Sequence, residues 1–233
     1  MHNIVGHDDW ITARKALLAK EKEFTRLRDA FSRERRQLPW ERVEKTYEFE
    51  GPQGKRSLPE LFDGRSQLLV WHFMFGPDWK EGCPSCSFWA DNYDGIVVHL
   101  RHRDANLVVV SRAPLAALRA YRKRMGWTFD WYSSLDSDFN FDFGVSFASE
   151  ALESGTAVYN YAPLHSKGTE WPGLSVFFKD ADGAVFHTYS TYARGLEMLN
   201  GAYQHMDLLP KGRDEDGLAS PMAWLRRHDR YAD

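Results

Sequence analysis

Cysteine is nearly absent from this sequence: the 233 residues include two, Cys83 and Cys86, three positions apart. Two cysteines cannot supply the several disulfides that stabilise a small secreted domain, so we expect a reducing, cytoplasmic environment. The sequence also lacks an apolar run long enough to span a bilayer, and its first residues lack the pattern of a secretory signal. We therefore predict no association with a membrane.

Charge of one sign is not concentrated anywhere along the chain. The 30 Lys and Arg residues nearly balance the 33 Asp and Glu residues, the net charge is -3, and no basic stripe stands out. This balance argues against a nucleic-acid partner. Aromatic residues, by contrast, make up 15% of the chain and hydrophobic residues 43%, which is enough for a substantial folded core.

The two cysteines belong to a Cys-Pro-Ser-Cys motif at 83–86, between an apolar predicted strand at 67–75 and a predicted helix at 87–103. The start of a helix favours a thiolate over a thiol, because its amide groups and dipole stabilise negative charge. The spacing allows Cys86 to attack a mixed disulfide formed on Cys83. The motif therefore predicts thiol–disulfide exchange, with Cys83 as nucleophile, Cys86 as resolving cysteine and no cofactor.

An amphipathic helix is predicted near the N-terminus, over residues 9–36. Trp10, Leu17, Phe24 and Phe31 recur every seven residues within it, and helix-forming residues fill the intervening positions. Such a face packs against the helix's own domain, or against a second copy of the helix in a homodimer, because heptad spacing suits partner helices. Three heptads do not distinguish the two arrangements.

The remaining pattern predicts an α/β domain. A strand at 106–111 and a helix at 114–125 follow the helix after the cysteines, and this order gives a βαβ unit with parallel strands. Hairpins are predicted on either side of it, around the turn at 51–54 and at 173–189. We predict three parts: an N-terminal helix at 1–39, a domain at 40–209 with an insertion near 150–170, and a tail at 210–233 packed on the domain.

The order of these stretches resembles a known superfamily. A hairpin, a Ser-Leu-x-x-Leu-Phe-Asp-Gly sequence, a central strand, Cys-x-x-Cys, a βα unit, Trp-Pro-Gly and a second hairpin follow one another as in thioredoxins and peroxiredoxins, over about residues 42–205. More closely, the phrases that begin at His72, Gly82, Ser111 and Phe186 resemble the bacterial thioredoxin-like domain-of-unknown-function 899 family. The resemblance implies an α/β, thioredoxin-like fold of peroxiredoxin type: a central mixed sheet flanked by helices, with an added N-terminal helix.

The same resemblance implies further site residues. Thioredoxins carry a cis proline before a strand, facing the reactive sulfurs, and Pro172 matches that position. We therefore expect Pro172 to be cis and to complete a catalytic set with the two cysteines. Trp79 and Trp89 flank the motif and Trp171 precedes the proline, so these three residues are candidates for a substrate groove, although aromatic side chains more often pack in a core.

Departures from the superfamily leave the reaction open. Thioredoxins usually carry Trp-Cys-Gly-Pro-Cys, so the proline directly after Cys83 leaves the redox potential unassigned. Peroxiredoxins carry Pro-x-x-x-Thr-x-x-Cys, and the stretch at 77–83 lacks the threonine. A thiol peroxidase is thus an alternative with less support, in which Arg112 or Arg194 polarises a peroxide near Cys83. Each arginine is more simply explained as part of a surface salt bridge.

A zinc site is another alternative, because Cys83, Cys86, His99 and His102 approach zinc-finger spacing. If residues 87–103 form one helix, the 13 positions from Cys86 to His99 span about 20 Å, too far for ligands of one ion. We therefore predict no metal.

A redox-inactive protein that holds a small ligand in an aromatic pocket is the remaining alternative. On the preferred interpretation, the partners are a thiol or disulfide substrate and an unidentified electron donor.

Overall fold

A computed structural model describes residues 2–231, and the chain divides into two compact units, Met1–Pro39 and Trp40–Asp233. No helix in the described range is both long enough and apolar enough to cross a membrane.

The first unit contains one long helix, α1, His7–Arg35. Asp8 and Asp9 lie in its first turn, Arg33 and Arg35 lie in its last turn, and both pairs complement the helix dipole. The predicted helix is confirmed to within two residues at each end. Its apolar heptad side chains are exposed, and their packing against a second copy stays a prediction.

The second unit is built on a mixed sheet. Its strands in chain order are β1 Glu41–Arg42, β2 Glu48–Gly51, β3 Gly54–Ser57, β4 Gln67–His72, β5 Ala105–Ser111, β6 Asp130–Ser133, β7 Val158–Tyr159, β8 Ala162–Pro163, β9 Gly173–Lys179 and β10 Val185–Tyr192. Eight strands form one sheet in the order β1-β10-β9-β4-β5-β6-β2-β3, while β7 pairs with β8. Strands β4, β5 and β6 run parallel, as the βαβ pattern predicts, and the hairpins pair antiparallel.

Short helices connect these strands. The α-helices are α2 Pro84–Ala90, α3 Asp94–Arg101, α4 Leu115–Arg124, α5 Phe139–Asp142, α6 Ser149–Glu153 and α7 Gly201–Met206, and 3-10 turns cover Leu58–Phe62, Ala193–Leu199 and His228–Arg230. The turn at Leu58–Phe62 begins at Ser57, where the Glu60 carboxylate accepts hydrogen bonds from both the Ser57 amide and the Ser57 hydroxyl.

Residues on opposite sides of β4 enter two separate cores. Leu68 and Val70 pack with Phe139 on one face, whereas Trp71 packs with Cys86 and with helices α2, α3 and α4 on the other. Successive side chains of a strand point to opposite faces, so a strand that is apolar throughout has to be covered on both sides. The predicted mixed sheet flanked by helices is confirmed.

The helix predicted at 87–103 is wrong as a single element, because the chain turns between α2 and α3. Asn92 ends α2 by donating its side-chain amide to the carbonyls of Phe88 and Trp89, at 2.9 and 3.1 Å. Its side-chain oxygen accepts the amide of Gly201, 109 residues away, at 3.0 Å. The break is therefore stabilised by a partner that no local pattern reveals.

Two segments change partner or helix type along their length. Within residues 41–51, β1 pairs with β10 while β2 pairs with β3 and β6. The 3-10 turn at Ala193–Leu199 is followed by α7, because Asn200 caps α7 by accepting the amide of Tyr203 at 3.1 Å.

The segment after residue 148 and the C-terminal segment both carry ordered contacts. In the first, α6 and the β7–β8 hairpin occupy residues 149–163. In the second, Leu225 is buried and Arg227 donates to the carbonyl of Gly82 at 2.7 Å. This contact joins the C-terminal segment to the residue directly before the cysteine motif.

Phe139 provides a test of the core opposite the cysteines. Its side chain is fully buried and its ring centroid lies 4.9 Å from that of Phe49 and 5.1 Å from that of Tyr47. We expect Phe139→Ala to lower the free energy of unfolding by about 3–5 kcal/mol, because it leaves a cavity among these rings. Urea unfolding measures the change. Met198→Ala, at a half-exposed position, should cost less than about 0.5 kcal/mol, and equal losses would contradict this packing.

Candidate active site

The cysteine motif is held where the chain leaves β4 and enters α2. Cys83 is the N-cap of α2, and Pro84 occupies the first helical position, where its missing N–H is not needed. The amide of Cys83 donates to the carbonyl of Met74 at 3.1 Å, and the amide of Met74 donates to the Cys86 sulfur at 3.4 Å. The end of the central strand thus contacts both cysteines.

The two thiols are free. The pKa of one is lowered and the pKa of the other is raised. The Cys86 S–H donates a hydrogen bond to the Cys83 sulfur, and the amides of Ser85 and Cys86 and the Ser85 hydroxyl also donate to it. These donors outweigh the cost of burial and lower the pKa of Cys83 to about 6. Cys83 is therefore largely a thiolate at neutral pH.

Cys86 is the protonated partner. It is buried, and burial, followed by the hydrogen bond that it donates to Cys83, raises its pKa well above the ordinary value. Cys83 is half-buried, whereas Cys86 is buried. The motif therefore places a thiol of lowered pKa next to a thiol of raised pKa.

A chain of hydrogen bonds that begins at Arg227 and Tyr121, outside the motif, ends at the backbone of Cys83. Arg227 donates to the Tyr121 hydroxyl at 2.9 Å, the Tyr121 hydroxyl lies 2.9 Å from that of Ser87, and Ser87 donates to the Cys83 carbonyl at 2.8 Å. Gly82 cannot carry a side chain, because a Cβ there would lie 2.7 Å from the ring of Phe73. Arg227 was not predicted from the sequence, because a single arginine in a polar segment has no recognisable spacing to the motif.

A cavity of about 420 Å³ opens beside Cys86. Its wall is formed by Trp71, Ser85, Cys86 and Trp89 from the β4–α2 region, by Pro172, by Ala193, Arg194, Leu196 and Glu197 from the 3-10 turn, and by Arg213, Glu215, Pro221 and Met222 from the C-terminal segment. Cys86, Pro172 and Trp89, three of the residues singled out from the sequence, therefore border one space.

The prediction of a cis Pro172 is wrong: the peptide bond between Trp171 and Pro172 is trans. The surrounding backbone is satisfied in this form, because the Trp171 amide donates to the Val145 carbonyl at 2.8 Å and the Tyr159 hydroxyl donates to the Pro172 carbonyl at 2.8 Å. Pro172 still lies beside Cys86 in the cavity wall, where it presents no amide hydrogen.

Of the three candidate tryptophans, one borders the cavity. Trp89 is buried there and donates its indole N–H to the Leu196 carbonyl at 2.8 Å. Trp79 is over one-third exposed and packs on Gly76, and Trp171 packs on Tyr159 at 4.9 Å between ring centroids. A different tryptophan, Trp71, also borders the cavity. From the sequence it was predicted only as part of the central strand.

The residues considered for peroxide or metal chemistry have other contacts. Arg112 pairs with the buried Glu170 at 3.1 Å, and Arg194 pairs with Glu197 at 2.9 Å. Across residues 2–231, no three His, Cys, Asp or Glu side chains are grouped as metal ligands. His72 lies on the other face of β4 and contacts the Ser175 hydroxyl at 2.8 Å.

A free Cys-x-x-Cys pair between the central strand of a mixed sheet and the helix that follows defines this molecule as a thioredoxin-like protein. The fold and the position of the cysteines are those that the sequence resemblance implied. The chain belongs to the family described as bacterial protein of unknown function, DUF899, whose model matches residues 1–231. No curated protein matches the sequence.

Several solved structures are similar to this chain. Peroxidoxin BcpB from Mycobacterium tuberculosis has 14% identity and a TM-score of 0.46, over 70% of this chain and 96% of that one. Peroxiredoxin Q from Xanthomonas campestris has 12% identity and a TM-score of 0.49, over 71% and 93%. The mitochondrial 2-Cys peroxiredoxin from Plasmodium falciparum has 13% identity and a TM-score of 0.42, over 78% and 96%.

The acidity of Cys83 leads to a pH-dependent reactivity. In reduced protein, we expect iodoacetamide to modify Cys83 at a rate that is half-maximal near pH 6 and constant above about pH 7.5, because the thiolate is the reactive form. Peptide mass spectrometry measures the modified fraction. In Cys83→Ser, the remaining Cys86 should react slowly at pH 7. A half-maximal rate near pH 8.5 for Cys83 would contradict this assignment.

Ser85 makes a separate contribution to the same acidity. Because its hydroxyl donates to the Cys83 sulfur, Ser85→Ala should raise the alkylation midpoint by about half a pH unit or more, as expected for loss of one hydrogen bond to a charged group. Ser149→Ala, at an exposed position at the start of α6, is the control and should leave the midpoint unchanged. An unshifted midpoint in Ser85→Ala would show that the Ser85 hydroxyl does not stabilise the thiolate.

Proposed function

We propose that this protein is a thiol–disulfide oxidoreductase in which Cys83 is the nucleophile and Cys86 the resolving cysteine. The observation that carries the proposal is the difference in pKa between the two thiols. One sulfur has a pKa of about 6 and is partly accessible, whereas the other is buried and protonated. A thiol that served only to fill a core would have a raised pKa, as buried thiols do.

The reaction proceeds in two exchanges. The Cys83 thiolate attacks one sulfur of a substrate disulfide, the substrate S–S bond breaks, and the first thiolate product leaves. Cys86 then loses its proton and attacks the Cys83 sulfur, which releases the second product and leaves a Cys83–Cys86 disulfide. Two electrons pass from the cysteine pair to the substrate, and an external thiol donor returns the pair to its reduced form.

Pro172 supports this chemistry from the cavity wall. Pro172 shares the wall with Cys86 and has no amide hydrogen, so it offers no backbone donor to a substrate sulfur in the cavity. The Pro172 carbonyl is engaged by the Tyr159 hydroxyl at 2.8 Å, which fixes the orientation of this wall.

The peroxidase alternative has less support. Both arginines that were candidates for polarising a peroxide are paired with carboxylates, Arg112 with Glu170 and Arg194 with Glu197. The threonine of the peroxiredoxin motif is absent from residues 77–83. Neither arginine makes a described hydrogen bond to Cys83, so we favour a disulfide over a peroxide as the substrate.

Removing the resolving thiol should trap the intermediate. Cys86→Ser, reduced and then mixed with bis(2-hydroxyethyl) disulfide, is expected to accumulate a mixed disulfide on Cys83, because no second thiol releases it. Wild-type protein should show an internal disulfide without a lasting adduct, and turnover in Cys86→Ser should fall at least a hundredfold. Intact-protein and peptide mass spectrometry identify the adduct and its site.

The matched variant Cys83→Ser separates the two cysteines. It keeps Cys86 in its buried environment and is expected to form no adduct within the same time. An adduct on Cys86, or an equal rate of formation in the two variants, would contradict the proposed roles. Failure of both wild type and Cys86→Ser to react with any disulfide would exclude the oxidoreductase function.

A further inference from the structure

The cavity beside Cys86 has a composition that selects among disulfides. We propose that the substrates of this site are small, uncharged disulfides with an aromatic or branched apolar substituent. The substituent occupies the cavity, whose wall includes Ser85 and Cys86, while one sulfur is bound to Cys83, which precedes these residues in the motif and lies outside the wall. This inference rests on the proposed thiol–disulfide exchange and specifies the chemical class on which it acts.

The size and polarity of the wall suit an apolar substituent. The cavity holds about 420 Å³, within the range of small-molecule sites, and apolar surface dominates such sites. Two tryptophans, Trp71 and Trp89, contribute to the wall together with Leu196, Pro172 and Met222. Burying an apolar substituent against these groups contributes about 25 cal/mol for each Å² removed from water.

The charged groups in the cavity wall are paired with carboxylates or hydrogen-bonded. Glu197 pairs with Arg194 at 2.9 Å and with Arg213 at 3.1 Å, and Arg213 also pairs with Asp207 at 2.8 Å. Glu215 accepts hydrogen bonds from the Tyr203 hydroxyl and from the Trp224 indole, at 3.0 and 2.7 Å. The Arg194 side chain is 88% exposed and stays hydrated. A carboxylate on the substrate would therefore compete with Glu197 and Asp207 for the two guanidinium groups, and its burial against the indole rings is costly.

One polar group in the wall lacks a partner. The indole N–H of Trp71 is buried and makes no hydrogen bond to any residue in the described part of the chain. Buried donors are rarely left unpaired in folded proteins. This nitrogen has almost no accessible surface, so Trp71 presents its apolar ring rather than its N–H to the cavity.

The C-terminal segment forms one side of the cavity. Pro221 and Met222 belong to its wall. Farther along the segment, Arg227 pairs with Glu81 at 2.9 Å, and Asp229 pairs with Arg124 at 2.7 Å. These contacts secure the segment beside the cysteine motif, so a substrate substituent in the cavity has an apolar side chain of this segment, Met222, on one side.

Two chromogenic diaryl disulfides of opposite polarity test the proposal, and the charge variant described below separates the effect of charge from that of ring substitution. Reduced protein is mixed with 4,4′-dithiodipyridine, which is uncharged at pH 7, or with 5,5′-dithiobis(2-nitrobenzoate), which carries two carboxylates, and the first thiol released is followed by stopped-flow absorbance. Each rate constant is divided by that of 2-mercaptoethanol with the same disulfide, which removes differences in intrinsic reactivity. We expect the normalised rate to be at least tenfold higher for the uncharged disulfide.

A charge introduced into the wall should change this preference. Met222→Lys places a cation beside the cavity in a side chain of similar length, and it is expected to reduce the ratio of uncharged to dianionic rates at least fivefold. Met198→Lys is the matched control, because Met198 is half exposed and lies outside the wall; its ratio should equal that of wild type. Circular dichroism verifies that both variants fold.

The outcomes are distinguishable. Equal normalised rates in the wild-type protein, or a preference for the dianion, would overturn the proposed substrate class and leave the oxidoreductase function standing. A higher normalised rate with insulin than with 4,4′-dithiodipyridine would also overturn it. If the protein reacts with none of the three disulfides faster than 2-mercaptoethanol does, the proposed oxidoreductase function is wrong. The wild-type comparison decides the matter even if Met222→Lys does not fold.

Discussion

The hydrogen bond from the Cys86 thiol to the Cys83 sulfur shifts the pKa values of the two cysteines in opposite directions. The same contact favours charge on Cys83 and holds a proton on Cys86, so it makes two chemically identical residues unequal. The pair titrates as a unit, and the first proton lost belongs mainly to the more accessible sulfur. The surrounding fold maintains this difference in pKa, because Cys86 is buried and amides of α2 donate hydrogen bonds to the Cys83 sulfur.

The sheet and the loops together hold the two sulfurs in this relation. Backbone hydrogen bonds join Met74, just beyond β4, to both cysteines. From the other side, the hydroxyl chain through Tyr121 and Ser87 reaches the Cys83 carbonyl. A shift of the β4 end or of Tyr121 would therefore alter the geometry of the sulfurs without changing a residue of the motif.

Much of this architecture was predictable from the sequence because it follows from local patterns. The apolar run of β4 and the buried run of β5 specify covered central strands, and the two cysteines locate the site between strand and helix. The break at Asn92 was not predictable, since the Gly201 amide that it accepts is 109 residues away. The same holds for the cavity wall: Pro221 and Met222 belong to a polar segment without periodicity, and only the tertiary fold brings them beside Cys86.

The contact between Arg227 and Gly82 has a consequence for biosynthesis. The two residues are 145 positions apart, and a ribosome adds about 5–20 residues per second, so the cysteine motif is made about 7–30 s before the arginine that braces it. During that interval the Gly82 carbonyl and the Tyr121 hydroxyl lack their guanidinium partner. The nascent chain therefore carries both cysteines before Arg227 is made. The hydrogen bonds that Arg227 donates beside the pair form only late in translation.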